Sequence, residues 1–202
     1  KNACKKNLDK LEIEGFLLKY LHFFGDYMHY NDGRGWYQNE IRIIRNNPDI
    51  HSFQSAQSFR HISNFDGLSY RNKTGTRKLN VLAIDAYVYH YGWVRPPIYM
   101  QKKKIALDQI HSHDKSKSEP LKFNYGPLGC LPEFKDSHPS VMKDWIEMFD
   151  WSQDLDYGKS YNLNRSLMKH EKLKYRLLRK VEKFFFQGKH LFAFNNWNLI
   201  NP

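Results

Sequence analysis

The residues best equipped for chemistry fall in the segment from Ile84 to Pro97, where a β-branched and aromatic run ends in His90, Tyr91, Gly92, Trp93 and Arg95. Imidazole exchanges protons near neutrality, indole offers a face for stacking, and guanidinium carries a bidentate fork suited to phosphate. The end of a strand is also where α/β sheets tend to present ligands. Taken alone the segment is only suggestive. A lone histidine at a strand end is more often a hydrogen-bonded structural residue, and Gly-Trp-Val-Arg also fits a turn packed over the core. A second concentration lies between Tyr20 and Tyr37, with Phe23, Phe24, Tyr27, Tyr30 and Trp36 between them. Core packing accounts for Phe23 and Phe24, whereas rings with polar tips beside Gly and Asp suit a platform for a sugar.

These residues need a sheet to hold them. The apolar run 13–24, closed by Gly25, reads as a buried strand, and 36–45 as a second strand paired with it. Turn residues Asn31, Asp32, Gly33 and Gly35 join the two. A short helix or turn is expected around Gln54–Phe59, and 78–91 is the most strand-like run of the chain. Pro96 and Pro97 start a helix reaching about Ile110. Residues 113–137, rich in Ser, Lys, Pro and Gly, read as a long surface loop or flap. A short helix is expected from Ser140 to Phe149. Asn164 is expected to cap a longer helix to about Phe186, with Leu167, Leu173, Leu177, Val181, Phe184 and Phe185 as its packed apolar face and Gly188 as its stop. The segment Leu191–Ile200 either returns as a strand or tucks under the domain. The expected class is α/β, a mixed sheet flanked by helices with a helical C-terminal extension at 138–202.

With 41% hydrophobic and 16% aromatic residues, the 202-residue chain has enough apolar material for a folded core. Cys4 and Cys130 lack metal-type spacing and form no disulfide framework, which points to a reducing, cytoplasmic setting. No apolar run reaches membrane-spanning length and no signal-peptide pattern is present. The first residue is Lys1, so the chain is expected to begin inside a longer reading frame or after processing. The net charge is +11, and most of it sits between Arg165 and Lys189, where nine Lys or Arg face only Glu171 and Glu182. The bland reading is a solvated face over a packed apolar one. The sharper reading is peripheral attachment of the basic helix 165–189 to anionic lipid, at about 1 kcal/mol per cation near the surface. Neither helix-turn-helix spacing nor an RNP-like aromatic pair is present, so nucleic acid is not an expected partner.

The strings GFLLKYLHFFGDY (15–27), GWYQNEIRIIRN (35–46) and above all IDAYVYHYGWVRPPIYMQKK (84–103) resemble the C-terminal halves of bacterial family-2 glycosyltransferases of the Bacteroidetes type. The similarity continues through His138–Met142 and Lys189–Ile200 and so covers nearly the whole chain. The resemblance implies a GT-A-like, Rossmann-like fold whose N-terminal half binds a nucleotide sugar and supplies an acidic Asp-x-Asp-type motif for a divalent metal, Mn²⁺ or Mg²⁺. That half is expected to be missing, leaving 1–112 as the acceptor-side part of the catalytic domain. Asp154 and Asp156 have the right letters in the wrong place and read as a solvated turn. In GT-A enzymes a histidine from the C-terminal half can complete the metal site, and here that is His90. Trp93 and Arg95 would then face the donor, with Trp36, Tyr37, Arg42 and Tyr91 among the substrate-binding residues. An inverting transfer needs a carboxylate to take the acceptor hydroxyl proton. Glu40 is the candidate, Asp26 and Asp32 are its competitors, and an ion pair with Arg42 or Arg45 is its bland alternative. The implied activity moves sugar from a nucleotide-diphosphate donor to a glycan or lipid-linked acceptor in cell-surface polysaccharide synthesis. A non-catalytic glycan-binding domain is the alternative.

Overall fold

A computed structural model describes residues 2–68, 71, 74–111 and 120–201. The fold is mixed α/β and comprises two compact units. The first unit takes in 1–20, 37–88 and 189–202, and the second 21–36 and 89–188. The division does not follow the boundaries expected at 112 and 137, because strands β1 (Gly15–Phe24) and β5 (Thr76–Trp93) each run from the first unit into the second.

In the first unit β1 pairs antiparallel with β2 (Asn39–Ile44), Gly15 opposite Ile44 and Lys19 opposite Asn39. Glycine is required at 15, since a Cβ there would stand 2.9 Å from the Ile43 carbonyl oxygen. The sheet order is β2-β1-β5-β4-β3, with β3 at Ile50–Phe53, β4 at Ser55–Ile62 and β6 (Trp197–Leu199) pairing parallel with β5. Leu17, Ile41, Ile50, Leu79 and Val81 make the core, with Ile44, Phe59 and Trp197 packed against it. The expected helix or turn at 54–59 is therefore a strand. Its pairing with β3 and β5, and the bond from buried Arg60 Nε to Asn196 Oδ1 (2.8 Å), outweigh a local sequence of mixed preference. The C-terminal segment takes the strand alternative.

The second unit is built on aromatics. Successive residues of a strand point to opposite faces, so Phe23 joins Tyr27, Val94 and Phe134, while Phe24 joins Met100, Phe123, Tyr125 and Leu128. Helix α2 spans Pro97–His111 and buries Met100 and Gln101. Part of the expected flap, 113–119, lies outside the described residues. From 123 onward the segment packs into the core through Phe123, Tyr125, Leu128 and Phe134, which outweigh its Gly and Pro content. The expected helix 140–149 shortens to a 3₁₀ turn at Ser140–Met142 and α3 at Lys143–Glu147; α1 is a short N-terminal helix at Asn2–Lys6.

The last helix, α4, departs furthest from expectation. It spans Leu173–Phe185 and does not start after Asn164. Its lead-in is a 3₁₀ turn at Lys169–Glu171, pinned by buried Glu171, whose carboxylate accepts hydrogen bonds from both Arg165 Nη atoms (2.7 Å each) and the Met168 N–H (2.6 Å). The face expected to be packed is the exposed one: Leu173 is 64% accessible, Leu177 53%, Phe184 82% and Phe185 69%. The helix turns its charged face inward instead. Glu182 is fully buried and paired with Arg34, Arg179 bonds Asp32 (2.7 Å), and Lys183 reaches the same carboxylate oxygen (2.9 Å). Asp32, Arg34 and the loop 31–35 thus fix which way α4 faces. Gly188 does stop the helix, at φ +78° with its N–H on the Glu182 carbonyl (2.9 Å).

Candidate functional site

In the first unit, Glu40 on β2 stands opposite Leu18 of β1, and Arg42, two residues on, shares its face. Arg42 Nε donates to the Tyr20 hydroxyl, its guanidinium lies 5.3 Å from the Tyr20 ring centroid, and Tyr20 meets Tyr37 edge-on at 4.9 Å. Of the residues picked from sequence, Tyr37, Glu40 and Arg42 are thus gathered in one place, with Tyr20 added. Tyr20 was legible only as one of the aromatic run. Glu40 makes no ion pair among the described residues, and its Oε2 is buried without a hydrogen-bond partner. Burial pushes its carboxyl up to about 7, against the nearby Arg42 charge and a backbone bond from Ile41 that favour ionisation. Burial also raises Tyr37 to about 12, so that phenol stays protonated. Arg45, the other bland partner, instead donates to the Ile13, Asn7, Leu8 and Lys10 carbonyls.

The competing carboxylates are occupied. Asp26 caps its own turn, accepting the Met28 N–H (2.9 Å), the His29 N–H (2.8 Å) and His29 Nδ1 (2.9 Å to Oδ2). Asp32 is taken by Arg179 and Lys183. Asp154 pairs with Lys122, and Asp156 accepts the Gly158 N–H, as turn residues do. What is left is a carboxyl that titrates near neutrality with one oxygen free. That is the equipment of a general base for a hydroxyl.

In the second unit, His90 on β5 lies against His22 of β1, Nδ1 to Nδ1 at 3.1 Å, one ring donating to the other. Trp36 tilts over His22 at 5.1 Å and meets Trp93 at 5.2 Å, with Phe24 beside both tryptophans. Gly92 leaves room for the His90 ring, since a Cβ there would sit 2.7 Å from His90 Nε2; Lys103 Nζ donates to the Gly92 carbonyl (2.6 Å). His90, Trp93 and Trp36 are therefore together. His22 was missed from sequence, although the alternation Tyr20, His22, Phe24 along a strand would have placed it.

Tyr91 does not join them. Strand alternation sends it to the other face, where it stacks on Phe23 (4.8 Å) and bonds His138 Nδ1 (2.8 Å). Arg95 is exposed, and its backbone carbonyl accepts the Tyr125 hydroxyl (2.9 Å).

No group of three His, Cys, Asp or Glu side chains able to hold a metal occurs among the described residues. His22 and His90 offer two adjacent imidazole nitrogens, which meets a divalent cation's needs only in part. Among the described residues no helix is long and apolar enough to cross a membrane.

No family model matches the chain, and no curated protein or solved structure is significantly similar to it.

Proposed function

We propose that this chain is the acceptor-side part of a glycosyltransferase of GT-A-like fold, moving a sugar from a nucleotide-diphosphate donor to a glycan or lipid-linked acceptor during cell-surface polysaccharide synthesis. The observation that carries the reading is Glu40, a half-buried carboxyl raised to about 7 with an unpartnered oxygen, beside the Tyr20–Tyr37 ring pair and Arg42. The rings suit the apolar face of a sugar, and Arg42 orients Tyr20 and biases Glu40 toward ionisation. Deprotonated Glu40 takes the acceptor hydroxyl proton as the oxygen attacks the anomeric carbon and the nucleoside diphosphate departs.

His90, backed by His22, would contribute nitrogen ligands to the Mn²⁺ or Mg²⁺ that neutralises the diphosphate, with the remaining ligands from elsewhere in the polypeptide. Trp36 and Trp93 would flank the donor and Arg95 would reach its phosphates. The reaction belongs in the cytoplasm, where nucleotide sugars are made, with peripheral contact to an inner membrane.

The test is glycosyl transfer by the full-length polypeptide that carries this chain. Glu40→Gln is expected to lower kcat by about 10²–10⁴-fold with KM little changed, and to remove the acidic limb of the pH–rate profile near 7. An unchanged kcat overturns the assignment of the base. The Tyr20–Tyr37 pair, with Tyr37 half-buried, also fits a non-catalytic glycan-binding domain. In that case Tyr37→Ala abolishes glycan binding while no variant and no length of polypeptide transfers sugar.

A further inference from the structure

Within the second unit a cavity of about 270 Å³ is walled by Lys159, Arg176, Arg179, Lys180 and Lys183 against a single carboxylate, Asp32. Arg179 and Lys183 share one oxygen of that carboxylate, at 2.7 and 2.9 Å. Lys159, Arg176 and Lys180 make no ion pair among the described residues. Arg176 is held over the Tyr161 ring at 4.4 Å, so its guanidinium is positioned before any ligand arrives. His170, also in the wall, adds no charge at neutral pH, because burial lowers it to about 4.

Two further donors in the same wall lack partners. Asn31 is 2% exposed; its Oδ1 accepts the Gly33 N–H (3.1 Å), which leaves Nδ2 as an unpaired buried donor, and Arg179 Nε is unpaired too. Like charges gathered around a small cavity repel one another, and buried donors without acceptors cost stability. An anion with several acceptor oxygens relieves the repulsion. From this geometry we propose that the cavity binds a phosphate or diphosphate group, gripped by Arg176, Arg179 and Lys180 and their neighbours.

The same helix that supplies four of the cations carries the exposed stripe Leu173, Leu177, Val181, Phe184 and Phe185 on its other side. A phosphorylated lipid has a tail to lay along such a surface, and a free diphosphate or nucleotide does not. The binding assay distinguishes the two sources. It needs no sugar transfer, so its outcome is separate from that of the glycosyltransferase reading.

The experiment is isothermal titration of the 202-residue chain at low salt with inorganic pyrophosphate and, in parallel, with geranyl diphosphate. Both are expected to bind saturably. Arg176→Ala and Lys180→Ala are each expected to weaken binding about tenfold, as loss of one charge-assisted bond predicts. Lys143→Ala on α3 is expected to leave it unchanged. Neither cavity variant removes an ion pair, so an unaltered melting temperature checks their folding. Binding of geranyl diphosphate at least tenfold tighter than pyrophosphate assigns the site to a lipid phosphate, and equal binding assigns it to a soluble phosphoanion. Absence of saturable binding by either ligand up to millimolar concentration, or binding indifferent to both cavity variants, overturns the proposal.

Discussion

Replacing Glu40 by Gln keeps the size of the side chain and removes its titration, which isolates the energetic signature of the proposed base. In the unfolded chain the carboxyl ionises near 4.5, and in the folded protein near 7. Between those values the folded state holds more protons, so this residue makes stability fall as pH rises from 4.5 through 7. The full difference corresponds to about 3 kcal/mol at 1.36 kcal/mol per unit. The residue is only half-buried, and solvent screening reduces the expected loss to about 1–2 kcal/mol. In a domain of this size that is a fall in Tm of about 2–8 °C. Urea unfolding of wild type and Glu40→Gln at pH 5 and pH 8, at constant ionic strength, measures it as a difference of differences. The variant is expected to gain about 1–2 kcal/mol over wild type at pH 8 and little at pH 5. Equal pH dependence in the two proteins, or a wild type that is relatively more stable at pH 8, would refute a buried, near-neutral Glu40 and with it the case for this residue as base.

Three other outcomes follow from the geometry. His170, held neutral by burial with its ring lowered to about 4, contributes stability that is complete above 6.5 and is lost as pH falls through about 4; about 3 kcal/mol is expected to disappear over that interval, and His170→Gln should flatten the acid limb of the unfolding curve. In α4 the usual hierarchy is inverted: Glu182→Ala removes the buried carboxylate that faces both Arg34 and Arg179 and is expected to cost about 3–5 kcal/mol, whereas Leu177→Ala, on the exposed stripe, should cost under about 0.5 kcal/mol, both by denaturant midpoint. A Cβ at Gly126 would stand 2.5 Å from Glu171 Oε1 and 2.8 Å from Arg165 Nη2 at a φ of +75°, so Gly126→Ala is expected to lose several kcal/mol, about as much as Glu171→Ala, with the double variant far from additive.

Apolar periodicity and turn residues were enough to locate β1, β2, β5 and α2, because each of these elements carries its own pattern and needs its neighbours only for register. The same alternation that defines β5 also explains why His90 and Tyr91 part company, and it contained the information for His22. Residue type alone put Glu40, Arg42 and Tyr37 on one short stretch.

Three features depended on the tertiary structure. β4 is a strand because two neighbours supply its hydrogen bonds and Asn196 receives Arg60, a contact made across more than a hundred residues of sequence. Glu40 titrates near 7 because the fold removes water from one of its oxygens, a property that no residue type carries by itself. The orientation of α4 is reversed relative to its hydrophobic pattern, since the periodicity of Leu173, Leu177, Val181 and Phe184 says only that one face is apolar. Which face turns inward was decided by Asp32 and Arg34, distant in sequence, whose ion pairs with Arg179, Lys183 and the fully buried Glu182 hold the charged face inward.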